Sequence, residues 1–153
     1  MKKRVLITGA TGFVGYHLIK SALANGLEVY ANVRQSAAAG HLKDFEINYV
    51  DLDFESIYLL KENIEEKKYD YIVHAAAVTK AKKLSDYNKI NATYTRNLAV
   101  AASKSTHRIK KFVFISSLAA LGPLKQKNER LTDNGASNPV TSYGISKALA
   151  ETY

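Results

Sequence analysis

Short apolar runs rich in Val, Ile, Tyr and Phe recur at 4–8, 28–33, 46–50, 70–74 and 111–115. Segments of helical spacing lie between them, at 13–24, 54–66 and 86–105, with one more from 142 onward. Each run is brief and unbroken, the pattern of a strand covered on both faces. Strand and helix in alternation require a mostly parallel sheet with helices on both sides, a three-layer α/β/α arrangement. Leu98, Ala101 and Ala102 give the helix of 86–105 a small-residue face for close packing on that sheet. Segment 118–141, with Gly122, Pro123, Gly135 and Pro139, is the one long loop, and loops of that length usually carry function.

Composition narrows the class. A chain of 153 residues, 46% hydrophobic and 24% charged, suits one soluble globular domain. No apolar run approaches the roughly 20 residues a membrane span needs. The basic start precedes only a handful of apolar residues before Thr8 and Gly9, too few for a secretory signal. There is no cysteine, hence no disulfide or thiolate metal site, and a reducing cytoplasm is the expected location. The formal net charge of +8 invites a nucleic-acid reading. The lysines, however, are spread as pairs at 2–3, 67–68, 82–83 and 110–111, with no long block and no recognition motif. They read as solvated surface, and a basic balance also helps hold an anionic cofactor. Neither a nucleic acid nor a membrane is an expected partner.

The stretch VLITGATGFVG places Gly9, Gly12 and Gly15 three apart, after the first strand and into the first helix. Gly9 permits the tight turn, Gly12 lets the backbone approach a pyrophosphate, and Gly15 lets the helix sit close on the strand. The helix start, at Phe13 and Val14, offers free N–H groups and a positive dipole end to phosphates. This is a Rossmann-type, doubly wound arrangement. Its G-x-x-G-x-x-G spacing resembles the short-chain dehydrogenases/reductases, and TGATGFVG resembles their extended branch, the NAD-dependent epimerase/dehydratase type. The resemblance continues along the chain. Asp51 and Leu52 in YVDLDFES look like the pair that contacts the adenine. HAAA, with Ala75, Ala76 and Ala77, looks like the small-residue wall beside the cofactor. Asn91 in KINATYTRNL fits the helix-borne asparagine that supports the active site. FVFISSLAALG resembles the fifth-strand motif whose catalytic serine stands five before the glycine, here Ser117 before Gly122. YGISK supplies Tyr143 and Lys147.

Residues four apart share a helix face, with Cβ atoms about 5–6 Å apart. A free tyrosine, with a pKa of about 10, is a poor base near neutrality, and a nearby ammonium favours its phenolate. Tyr143 can then pass a proton to or from a substrate oxygen that Ser117 stabilises by hydrogen bonding. The resemblance adds that Lys147 binds the nicotinamide ribose. Ser116 reads as structural, since adjacent strand positions face opposite ways. His74 reads as a packed, hydrogen-bonded histidine, and His17, His41 and His107 show no metal-ligand spacing.

An acidic residue ending the second strand holds an adenosine ribose 2′-OH in NAD sites. In LEVYANVRQS that place falls on Val33, followed by Arg34. A guanidinium there holds a 2′-phosphate, and the pair resembles the VR of dihydroflavonol-reductase-like members. NADP(H) is the expected cofactor, with NAD(H) as the alternative.

The resemblance implies hydride transfer at an alcohol or ketone carbon of a nucleotide sugar, a steroid-like alcohol or another small carbonyl compound. SSLAALG lacks the threonine and acid–base pair typical of dehydratase members, which favours a reductase or an epimerase. The rival readings are a non-catalytic, dinucleotide-binding redox sensor and a nucleic-acid-binding protein. The expected domain is a dinucleotide-binding domain over 1–153. Because no stop signal follows Leu149 and Ala150, it is expected to be the amino-terminal part of a longer enzyme, inactive alone. A fifth strand left at the sheet edge would invite dimerisation.

Overall fold

The apolar runs form five parallel strands in the order β3-β2-β1-β4-β5. The computed structural model describes residues 2–34, 39–124, 130–132 and 137–153, so Gly135 and much of the expected long loop lie outside the described residues. In chain order the elements begin with β1 (Arg4–Thr8), α1 (Phe13–Ala24), β2 (Glu28–Asn32) and a 3₁₀ turn at Gly40–Leu42. β3 (Asn48–Val50), α2 (Ile57–Lys67) and β4 (Tyr71–His74) follow. Next come α3 (Leu84–Tyr87), a π-helical segment (Asn88–Thr93) and α4 (Tyr94–Lys104). β5 (Lys111–Phe114), a 3₁₀ turn at Leu118–Ala120 and α5 (Ser142–Glu151) complete the order. The chain divides into two compact units, Met1–Ala76 with Asn97–Ile115, and Ala77–Arg96 with Ser116–Tyr153.

The first unit holds the whole sheet. Alternate residues of a strand point to opposite faces, and both faces here are apolar. On one, Leu6, Tyr30 and Ile72 pack with Leu60 and Ile64 of α2 and Leu98 and Ala101 of α4. On the other, Val5, Ile7, Val29 and Ala31 pack with Ile19 and Ala22 of α1 and with Leu42. Helices therefore cover both faces, the doubly wound α/β/α class that the strand pattern requires. Each fully buried Leu or Ile contributes about 1.5–3 kcal/mol. The small-residue face of α4 is also as expected, with Ala102 packed beside Leu98 and Ala101.

Asp70 joins three strands at their amino ends. Its carboxylate accepts from the Arg4 amide at 2.9 Å and pairs with Lys110 at 2.5 Å, and its carbonyl accepts from the Lys110 amide. The Lys110 ammonium and the Arg4 amide hold this carboxyl below the usual range. Helix α2 starts at Ile57, three residues later than the apolar rhythm suggests. Ser56 sets that boundary, its hydroxyl accepting from the Leu59 amide at 3.2 Å as an N-cap. β5 ends the sheet order and is an edge strand, as expected.

The second unit comprises α3, the π segment, the Leu118–Ala120 turn and α5. Both flanks of the π segment are helical in backbone, so α3 and α4 are not separated by a break. The sequence pattern over 86–105 gives no hint of the π insertion.

Candidate active site

In the first unit the glycine stretch forms the turn its spacing predicts. Gly9 has φ of 68°, and a Cβ there would lie 2.7 Å from the Ala75 carbonyl and the Ala76 amide nitrogen. Only glycine satisfies both the left-handed backbone and that close approach. The Gly12 amide donates to the Gly9 carbonyl at 3.0 Å and closes the turn. A Cβ on Gly15 would stand 2.2 Å from the same carbonyl oxygen, so α1 lies directly on the loop.

Helix α1 has Gly12 as its N-cap, no capping side chain and no acid in its first turn. Its leading amides, at Phe13 and Val14, therefore keep the positive end of the helix for an outside anion. This cradle fits the pyrophosphate of a dinucleotide. The β4 exit is fixed against the loop from below. Thr8 Oγ1 and His74 Nδ1 are 2.7 Å apart, and the Ala76 amide donates to Thr8 Oγ1 at 3.1 Å. His74 is fully buried among the rings of Phe54, Phe112 and Phe114, as its packed reading requires. Thr8 is the partner that sequence reasoning missed.

At the tips of β2 and β3, the Val33 amide donates to the Val50 carbonyl at 2.9 Å, which carries the ladder one residue past Asn32. Arg34 follows directly and is exposed, as is Asp51. The side chain of Leu52 belongs to the core. Any contact Leu52 makes with a ligand is therefore left to its main chain.

The second unit gathers Ala77, Asn91, Ser117, Tyr143 and Lys147. Thr141 caps α5, its hydroxyl accepting from the Gly144 amide at 3.0 Å. A Cβ on Gly144 would sit 2.3 Å from the Ala119 carbonyl, so α5 presses against the turn that begins at Ser117. Ser117 caps that turn by accepting from the Ala119 amide at 3.2 Å, which leaves its O–H out of that bond. Tyr143 and Lys147 lie one turn apart on α5, and Lys147 is only 1% exposed. Burial pushes its ammonium down to about 8, and the Glu151 carboxylate opposes the shift.

Asn91 is fully buried in the π segment, where such insertions often mark functional positions. Its side-chain oxygen accepts from the Val78 amide at 2.8 Å. Its NH₂ donates to the Val78 carbonyl at 3.0 Å and to Ser146 Oγ at 2.9 Å. Ser146 in turn donates to the Tyr143 carbonyl at 2.7 Å. Both hydrogens of the Asn91 amide are thus spent on the Val78 carbonyl and the Ser146 hydroxyl. The sequence does not single out Ser146, although YGISK places a serine directly beside Lys147. Tyr87 is another missed member. Its hydroxyl accepts from the Ala81 amide and donates to the Thr79 carbonyl, while its ring meets that of Tyr143 edge-on, with centroids 6.5 Å apart.

Ser116 donates to the carboxylate of Glu151, which gives the neighbour of Ser117 a structural bond. Among the described residues no group of three or more His, Cys, Asp or Glu could hold a metal ion. No helix among them is long and apolar enough to cross a membrane.

The family model for the "NAD dependent epimerase/dehydratase family" matches residues 5–153. A UDP-glucose 4-epimerase of Vibrio cholerae is 34% identical over 167 residues, covering 99% of this chain and 46% of its own. A ceramide reductase of Caulobacter vibrioides is 33% identical over 119 residues, covering 78% of this chain and 36% of its own. The structure of the Bordetella bronchiseptica enzyme WbmG in complex with NAD and UDP superposes with a TM-score of 0.84 at 25% identity. That match covers 99% of this chain and 49% of WbmG. The chain thus spans about half the length of the relatives it matches. With the family match running from β1 to the end of α5, this chain belongs to the NAD-dependent epimerase/dehydratase family, within the extended short-chain dehydrogenases/reductases.

Proposed function

We propose that residues 1–153 form the dinucleotide-binding domain of an enzyme that moves hydride reversibly at an alcohol or ketone carbon. Tyr143 passes the proton to or from the substrate oxygen, and Ser117 donates a hydrogen bond to that oxygen as charge develops on it. Lys147 supplies the positive charge beside Tyr143 and reaches the nicotinamide ribose. Asn91 holds Val78 and Ser146 in place. Gly9, Gly12 and Gly15, with the amides of Phe13 and Val14, cradle the pyrophosphate. Asp51 and the Leu52 main chain meet the adenine, and Ala75, Ala76 and Ala77 wall the cofactor. When bound, the nicotinamide supplies the carbon that gives or accepts hydride. The observation that carries this reading is Lys147, 1% exposed, on the same helix as Tyr143 and one turn away. Burying an ammonium is costly, and a buried lysine with a lowered pKa beside a tyrosine is better explained by chemistry than by stability.

Exposed Arg34, with no acid at the β2 tip, supports NADP(H) over the NAD(H) that the family name and WbmG carry. The relatives named above support a nucleotide sugar or another small carbonyl compound as substrate, by epimerisation or reduction. The cysteine-free sequence supports a cytoplasmic setting, and the place of β5 at the end of the sheet order among the described residues supports a homodimer. The test is turnover by the full-length protein with NADPH or NADH and UDP-glucose or a ketone. Tyr143→Phe should lower kcat by about 10²–10⁴-fold with cofactor affinity kept. Undiminished turnover in that variant would overturn the assignment, and cofactor binding without turnover on any carbonyl substrate would favour the redox sensor.

A further inference from the structure

We propose that Tyr87 is a positioning residue, whose ring sets the aim of the Tyr143 phenol while its hydroxyl anchors that ring to segment 79–81. The proposal rests on the catalytic reading of Tyr143. Tyr87 ends α3, and Asn91 lies four residues on, in the π segment. Each side chain makes a two-bond clamp on the same short stretch of backbone. Asn91 takes the amide and the carbonyl of Val78. The Tyr87 hydroxyl accepts from the Ala81 amide at 3.0 Å and donates to the Thr79 carbonyl at 3.2 Å. Hydrogen bonds run on from Asn91 through Ser146 to the Tyr143 carbonyl. Tyr87 meets Tyr143 directly, ring against ring, with centroids 6.5 Å apart and planes at 62°. The main chain of Tyr143 is thus tied to one of these side chains, and its ring touches the other.

A phenol that hands over a proton must point its oxygen at the substrate. Helix geometry removes one χ1 well and leaves the others open, and χ2 of a tyrosine is a broad two-fold torsion. Tyr143 is only partly buried, so a neighbour outside α5 has to choose among these settings. An edge-on ring is suited to that choice, because the ring quadrupoles make the contact directional at this separation. The neighbour must itself be fixed, and the two backbone bonds of the Tyr87 hydroxyl fix it. Burial does not call for those bonds. Tyr87 is itself only partly buried, and water could satisfy a phenol at such a site. The doubly bonded hydroxyl is better explained as the anchor of the ring that Tyr143 leans on.

The experiment uses full-length protein carrying ¹³C-labelled tyrosine, with the Tyr143 signal identified by its loss in Tyr143→Phe. The wild type should show a nuclear Overhauser contact between the rings of Tyr87 and Tyr143. Tyr87→Leu should lower kcat about tenfold with cofactor Kd kept. It should also move the Tyr143 ring signal and raise the solvent deuterium isotope effect on kcat, as proton transfer becomes more limiting. Tyr87→Phe keeps the ring and loses both hydroxyl bonds. It should recover most of the rate while the Ala81 amide exchanges faster. An unchanged isotope effect in folded Tyr87→Leu, or a loss in Tyr87→Phe as large as in Tyr87→Leu, would overturn the proposal. Should Tyr87→Leu fail to fold, the wild-type ring contact decides, and its absence overturns the proposal outright. Undiminished turnover in Tyr143→Phe would strike the catalytic reading instead, a result on which the ring contact does not depend.

Discussion

Lys147 combines near-complete burial with an ionisable group, and this makes stability depend on pH. Its folded pKa of about 8 lies below the ordinary 10.5, so between those values the unfolded chain binds more protons. The penalty of burying the ammonium is therefore complete below pH 8 and is relieved as pH rises toward 10.5. Stability should climb over that window by up to about 3 kcal/mol, at 1.36 kcal/mol per pKa unit. Lys147→Met should flatten this climb in urea melts taken at each pH. Arg34 poses a question of affinity instead. Removing one charge-assisted contact to a phosphate costs about 1.5–3 kcal/mol, or roughly ten- to a hundredfold in affinity. Arg34→Ala should weaken NADPH by that factor and leave NADH nearly unchanged in calorimetry. Equal loss for both cofactors, or a wild-type preference for NADH, would remove the NADP(H) reading.

Among elements, the loop between β1 and α1 and the joint between the π segment and α5 carry the load. A Cβ at Gly12 meets only the Gly9 carbonyl oxygen, at 3.3 Å, whereas one at Gly15 would penetrate that oxygen at 2.2 Å. Gly12→Val should therefore keep a native circular dichroism spectrum and a cooperative melt while losing dinucleotide binding. Gly15→Val should displace α1 and lower Tm as well. Calorimetric binding by Gly12→Val at wild-type strength would show that the loop does not approach the pyrophosphate. At the other joint, Asn91→Ala would leave the Val78 amide and carbonyl and the Ser146 hydroxyl without their partner. Each unsatisfied buried group costs about 1–3 kcal/mol, so the variant should be among the least stable that still fold. Hydrogen exchange at the Val78 amide should rise with it, while Thr8 and His74, bonded to each other in the first unit, hold their protection.

For the whole molecule, a formal net charge of +8 and a cradle for an anion make the response to ligands the telling observable. NADPH at a hundredfold excess over its Kd should stabilise the protein by about 2.7 kcal/mol, seen as a rise in Tm. Duplex DNA should give no such rise in physiological salt, and a rise with DNA alone would revive the nucleic-acid reading. The sequence by itself determined the strands, the parallel character of their sheet and the phosphate loop, while their order came from the structure. Those rest on local pattern: short unbroken apolar runs, covered in β1, β2 and β4 although β3 and β5 carry exposed residues such as Tyr49 and Val113, and glycines whose spacing dictates a turn. It also identified Ser117, Tyr143, Lys147 and Asn91 as candidates, through motif order. Only the tertiary structure decided what surrounds them, because those partners are long-range. Val78 and Ser146 meet through Asn91, Thr8 meets His74 across 66 residues, and Ser116 reaches Glu151 across 35. Nor did the apolar spacing over 86–105 reveal the π segment, which is distinguished by its hydrogen-bond partners along the chain. Burial of Lys147 belongs to the same class: a lysine in a helix reads as solvated until the packing around α5 shows that water is excluded.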